Sequence, residues 1–334
     1  MKAQLCTRID QIENHPLTFT TVETPKPSPD QVLIRIRACG VCHSNLHMVE
    51  GEFRDFGVPT KLPIIPGHEI TGEIEETGSL TKSFQRGDRV GVQPLWGADG
   101  TCEFCLTGRE HLCVNKQITG ETVDGGYAEY IVVPAGYVYH MPENLKFAEA
   151  APLFCPGVTA YRAVKRANVR FGQRVVVIGI GGVGHMAVQF AKLAGAETIA
   201  VARSEAKLKL AEELGADHAI AADKLEDYLA KTGKPDAVVV FAPSQNAIDQ
   251  ALRIVKRGGT VLMGVLGTER VIFPEEYSVV GSVIGSRQDM NETLRLAAMG
   301  KVKVETTNYP LSEATDVLLK LKQGKIVGRA VLLT

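Results

Sequence analysis

RVVVIGIGGVGHMAVQFAKLAGA (174–196) reads as a short apolar strand, a glycine-rich turn and an amphipathic helix stopped at Gly195. A Gly-x-Gly-x-x-Gly pattern is weak alone, but between a strand and a helix it is the context that a dinucleotide phosphate turn requires. Gly179 permits the tight turn, Gly181 lets backbone amides approach a pyrophosphate, and Gly184 lets the helix press on the strand, with Gly182 and Val183 completing the loop. The helix N-terminus then faces the anion. Downstream, TIAVA (198–202), KLKLAEEL (207–214), DAVVVF (236–241), AIDQALRIV (247–255) and TVLMGV (260–265) continue the alternation of strand and helix, which predicts a parallel sheet.

Upstream the texture differs. VLIRIRA (32–38), RVGV (89–92) and AEYIVV (128–133) are short β-branched runs separated by Gly and Pro, the pattern of a mostly antiparallel β domain. The last stretch, YPLSEATDVLLKLKQGKIVGRAVLL (309–333), reads as a helix and a strand that rejoins this first domain. With 334 residues, two cores are expected: a β domain over 1–150 completed by about 290–334, and a parallel-sheet domain over 151–289. The 37 basic and 38 acidic side chains nearly cancel and form no long run, so neither nucleic acid nor an anionic membrane is an expected partner. Charges in MKAQLCTRIDQIENHP and the lack of a long apolar window point to a cytoplasmic protein.

Seven cysteines in such a chain favour metal binding or catalysis over disulfides. Cys42 in CGVCHSNLH (39–47), His68 in PGHE (66–69) and Cys155 in FCPG (154–157) each offer one soft or borderline ligand to a single zinc, and three protein ligands leave a position for substrate. Cys102, Cys105 and Cys113 crowd one loop, while Cys6 and Cys39 read as buried thiols. Cys39-x-x-Cys42-His43 also spells a c-type haem attachment pattern, but it leaves PGHE and FCPG without a role. At the end of the second strand of the parallel domain, the Asp or Glu that holds an NAD ribose is missing and Val201-Ala202-Arg203-Ser204 stands instead. Arg203, Ser204 and Lys207 suit a 2′-phosphate, so NADP(H) is expected ahead of NAD(H).

The segments CGVCHSNLH, PGHEITGEIEETG (66–78), CEFCLTGREHLC (102–113), DGGYAEY (124–130), APLFCPGVTAY (151–161), GIGGVG and IVGRAVL (326–332) together resemble the zinc-containing medium-chain alcohol dehydrogenases, in particular the bacterial, archaeal and cinnamyl-type branch. The resemblance spans essentially the whole chain. It implies an α/β protein with a GroES-like catalytic domain and a Rossmann-type, doubly wound coenzyme domain. It makes Cys42, His68 and Cys155 the catalytic zinc ligands, with Glu69 close behind the metal, and it has Ser44 pass a proton through the coenzyme ribose to His47. By the same transfer His43 and Arg329 meet the coenzyme pyrophosphate, Thr159 packs on the nicotinamide, and the assembly is a homodimer or homotetramer.

Two positions depart from the family pattern. The loop cluster has three cysteines where relatives have four, with Asp99 at the first position, so a Cys₃Asp structural zinc is expected. Asn45 replaces an Asp that in many relatives hydrogen-bonds the zinc-bound histidine, and its amide oxygen is expected to accept in its place. The resulting expectation is a zinc-dependent oxidoreductase moving hydride between NADP(H) or NAD(H) and an alcohol, aldehyde or ketone. A polyol dehydrogenase on the same scaffold and a non-catalytic NADPH-binding sensor are the alternatives.

Overall fold

The computed structural model describes residues 1–269 and 272–334. In chain order the strands are β1 (Lys2–Cys6), β2 (Leu17–Thr21), β3 (Gln31–Gly40), β4 (Glu69–Thr77), β5 (Arg89–Val92), β6 (Leu95–Gly97), β7 (Gln117–Ile118), β8 (Tyr130–Pro134), β9 (Val138–His140), β10 (Arg174–Ile178), β11 (Glu197–Ala202), β12 (His218–Ala221), β13 (Ala237–Val240), β14 (Thr260–Met263), β15 (Ser278–Gly281), β16 (Thr306–Pro310) and β17 (Arg329–Leu333). They fall into two units. One comprises residues 1–155, 286–298 and 304–334; the other comprises 156–285 and 299–303.

The first unit is built on a seven-stranded sheet ordered β16-β17-β3-β4-β5-β9, with β8 also pairing β3. All pairings are antiparallel except β16 with β17. β3 is shared along its length: Gln31–Arg35 pair with β8, and Ala38–Gly40 pair with β17. The C-terminal strand thus pairs with a strand of the N-terminal half. Ile34, Ile36, Ile70, Ile74, Val90 and Val92 bury their β-branched side chains in one core that also takes Met48 and Val49 from the helix His43–Glu50. Cys6 and Cys39 are fully buried, and all seven cysteines are free thiols.

The second unit is a six-stranded parallel sheet ordered β12-β11-β10-β13-β14-β15. Val175–Val177 of β10 and all of β13 are buried, as strands covered on both faces require. The strand order reverses between β10 and β13, and in such doubly wound sheets ligands bind outside the carboxyl ends of the strands at that reversal. Gly179–Gly184 follow β10 directly and lead into the helix Gly184–Leu193. Gly179 takes φ +99°, and a Cβ at Gly184 would stand 1.9 Å from the Gly179 carbonyl oxygen. A Cβ at Gly181 would meet only open space. No helix among the described residues is long and apolar enough to cross a membrane.

Candidate metal centre and coenzyme turn

Cys42 stands at the N-cap of the helix His43–Glu50, where the Asn45 backbone N–H meets the Cys42 side chain and the Asn45 side chain reaches back to the Cys42 N–H. This reciprocal cap fixes the first turn, and Gly51 at φ 82° ends the helix. His68 and Glu69 sit at the start of β4, and Cys155 lies at the junction before the helix Pro156–Arg166. Donor atoms of Cys42, His68, Glu69 and Cys155 all lie within 4.8 Å of one another. The two sulfurs are 3.9 Å apart. His68, Glu69 and Cys155 are buried, while Cys42 is partly exposed.

The charges of the cluster are set by this crowding. The Cys155 thiol hydrogen-bonding toward Cys42 holds the Cys42 thiol well below its ordinary range, against burial. For His68, burial works against the charged form, but the adjoining Cys42, then Glu121 and Glu69, outweigh it and lift the ring to about 9. Burial pushes Glu69 up to about 7, although Arg329 opposes this. Gly40 makes room for that carboxylate, since a Cβ there would lie 1.9 Å from Glu69 Oε2. His68 Nε2 and Glu69 Oε2 are buried without hydrogen-bond partners. Buried polar atoms are rarely left so, and two thiols with a bare imidazole nitrogen match the donor set zinc prefers.

Around this cluster the expected residues take definite positions. Ser44 Oγ is 3.6 Å from Cys42 Sγ. His47 Nδ1 lies 2.7 Å from Glu52 Oε2. His43 is exposed on the same helix, its ring centroid 6.0 Å from that of His47. Arg329 is 4% exposed: its Nη2 donates to Val41 O at 2.8 Å and pairs with Glu69 Oε1. Asn45 corrects an expectation. Its Oδ1 accepts from the Cys42 N–H at 3.3 Å and the Tyr127 hydroxyl at 3.1 Å, so Nδ2 is the atom facing His68 Nδ1, 3.4 Å away. Tyr127, fully buried, and Glu121, whose Oε1 is 3.7 Å from His68 Nδ1, are neighbours that sequence reasoning did not single out. The DGGYAEY segment carried the first; nothing in the pattern marked the second. The indole N–H of Trp96 donates to Val132 O at 3.0 Å.

A second cluster forms on the loop after β6. Donor atoms of Asp99, Cys102, Cys105 and Cys113 lie within 4.8 Å of one another, and only Cys113 is fully buried. Asp99 Oδ1 accepts from the N–H groups of Thr101 at 2.9 Å and Cys102 at 3.0 Å, and Oδ2 accepts from Asn115 Nδ2 at 3.0 Å. These donors, Cys102 N–H foremost, hold the Asp99 carboxyl well below the carboxylate range. Burial and the neighbouring Cys102 push the Cys105 thiol up to about 12.

In the other unit, Arg203 and Ser204 follow β11, and Ser204 Oγ accepts from Lys207 N at 3.4 Å as the N-cap of the helix Glu205–Glu213. Arg203 lines a cleft of about 700 Å³ with Ala222, Asp223, Glu226, Asn246 and Gln250. Glu226 is 2.9 Å from Arg253 Nη2, which offsets its charge. Thr159 is half-buried on the helix Pro156–Arg166.

Residues 28–143 match the alcohol dehydrogenase GroES-like domain family, and residues 182–299 match the zinc-binding dehydrogenase family. An alcohol dehydrogenase of Geobacillus stearothermophilus is 44% identical over 329 residues, covering 95% of this chain and 96% of that protein. An NAD-dependent alcohol dehydrogenase of Saccharolobus solfataricus is 38% identical over 339 residues, 95% of this chain and 96% of that one. Among solved structures, the alcohol dehydrogenase of the archaeon Aeropyrum pernix superposes with a TM-score of 0.92 at 35% identity over the full length of both chains.

Proposed function

This chain belongs to the zinc-containing medium-chain alcohol dehydrogenase family, and we propose that Cys42, His68 and Cys155 hold its reactive zinc while the unit of residues 156–285 and 299–303 holds the coenzyme. Oxidation of an alcohol and reduction of the matching aldehyde or ketone is the activity of the family. The convergence of two thiols and a buried imidazole from segments 42, 68 and 155 is the observation that carries the assignment. When bound, zinc polarises a carbonyl and brings the pKa of an oxygen ligand near 7. The coenzyme supplies or takes the hydride.

The remaining work falls to the chain. Glu69 lies behind the cluster with its charge answered by Arg329, so the thiolates are not faced by an uncompensated carboxylate. Ser44 is the hydroxyl nearest the cluster and takes the substrate proton, and His47, backed by Glu52, hands it to solvent. Gly179, Gly181, Gly182, Val183 and Gly184 receive the pyrophosphate on backbone N–H groups, and Thr159 contacts the nicotinamide. The Cys₃Asp lobe holds a structural zinc. The assembly is a cytoplasmic homodimer or homotetramer, as the family resemblance implies.

For the coenzyme we favour NADP(H), since Arg203 stands where an NAD site carries a carboxylate. NAD(H) is the second reading, supported by the Saccharolobus relative and by Asp223, a carboxylate lining the same cleft as Arg203. A panel of primary alcohols, secondary alcohols, polyols and aldehydes assayed with both coenzymes tests all of this. The expected result is turnover of simple alcohols and aldehydes with kcat/KM higher for NADP(H), and zinc analysis giving two per chain. A preference for polyols or NADH would reverse those two assignments, and binding without turnover would leave a sensor.

A further inference from the structure

His68 has one nitrogen for the cluster and one facing away from it. Nδ1 faces Asn45 and Glu121, which leaves the buried, unpartnered Nε2 for the metal. A neutral imidazole that gives Nε2 to a metal carries its proton on Nδ1, and such an N–H is ordinarily held by a carboxylate, a carbonyl or a water. Asn45 does not supply that acceptor. The Cys42 N–H and the Tyr127 hydroxyl both donate to Asn45 Oδ1 and fix the amide with its NH₂ toward His68. Turning the amide over would set its NH₂ against the Cys42 N–H, donor against donor, and break the reciprocal cap of the helix.

The carboxylate that does face Nδ1 comes from another part of the chain. Glu121 lies in the turn after β7, its backbone N–H donating to Ile118 O and its carbonyl accepting from Thr60 N. The Glu121 side chain is 12% exposed and brings Oε1 to 3.7 Å from Nδ1, a few tenths of an ångström outside hydrogen-bond range. Among the described residues it is the carboxylate within ion-pair distance of His68. We propose that Glu121 is a positioning residue for His68: it accepts the Nδ1 proton and sets the tautomer and ring plane of the zinc ligand, replacing from the 118–123 turn the carboxylate that Asn45 withholds.

This inference rests on His68 being a zinc ligand, so its test must separate the two. Zinc release from the holoenzyme into a chelator is followed for the unaltered protein, Glu121→Gln, Glu121→Leu, and Glu121→Gln combined with Asn45→Asp. The phase belonging to the Cys42 cluster is identified by its loss in Cys155→Ser. Release from that cluster is expected to be about 10-fold faster in Glu121→Gln, which keeps a neutral acceptor, and up to about 100-fold faster in Glu121→Leu. Adding Asn45→Asp should restore slow release, which a mere packing defect at position 121 would not allow. Cobalt substituted into the site should change its visible absorption bands in the same order. Unchanged release and spectra in both Glu121 variants would overturn the positioning role alone. A holoenzyme with no phase that Cys155→Ser removes would overturn the zinc assignment beneath it.

Discussion

The two clusters of soft donors lie in the same unit and use the same chemistry, yet they are built in opposite ways. Cys42, His68 and Cys155 come from widely separated segments that the seven-stranded sheet and its flanking turns bring together, and three of the four donor residues are buried. Asp99, Cys102, Cys105 and Cys113 span a single loop, and three of those four are partly exposed. A centre assembled from distant segments requires the fold, whereas a loop cluster shapes only its own neighbourhood. Buried donors also sit where electrostatic interactions are least screened, which is where polarising a substrate is most effective. The exposed lobe suits a brace.

Cys155→Ser gives the largest separation between them. Its kcat/KM should fall by at least about a thousand-fold, since a Lewis acid contributes several kcal/mol to the barrier. Zinc should drop by one per chain, with the chain still folded at the assay temperature. Loss of both zincs would mean that the two sites are not independent. Cys113→Ser should do the reverse: kcat/KM within a few-fold of the unaltered protein, with Tm lower by about 5–10 °C, equivalent to ~2–3 kcal/mol. A collapse of activity at full folding would show that the lobe is more than a brace. The smallest effect belongs to Asp99→Cys. It should slow zinc release from the lobe severalfold by replacing an oxygen with a thiolate, and leave turnover alone. Faster release would mean that the hydrogen bonds from Thr101, Cys102 and Asn115 to Asp99 matter more than donor softness.

The contrast also governs what could be read from the sequence. The loop cluster was legible as spacing, because Cys102-x₂-Cys105-x₇-Cys113 is local, and the family pattern pointed to Asp99. The GIGGVG turn and the alternating segments gave the parallel sheet directly, because a covered parallel strand is apolar along its length. The buried centre was legible only as three motifs whose meeting had to be supplied by resemblance. Of its surroundings the resemblance marked Glu69 and Asn45, but not how they are held. Which way the Asn45 amide points depends on the Cys42 N–H and on a tyrosine hydroxyl 82 residues away. Glu121 reaches His68 through the folding of a turn that has no periodic signal. Arg329 reads, by resemblance, as a pyrophosphate contact, and its pairing with Glu69 shows only once β17 pairs with β3.

That last pairing bears on how the protein is made. Glu69 and Arg329 are 260 positions apart, so a nascent chain carries every donor of the Cys42 cluster long before the countercharge for Glu69 leaves the ribosome. Until then β3 has β4 on one side along Ala38–Gly40 but not β17 on the other, and an internal carboxylate stands without its cation. Translation that stalls before codon 329 therefore yields a chain with a full ligand set and an unfinished wall, a substrate for quality control rather than a slow enzyme.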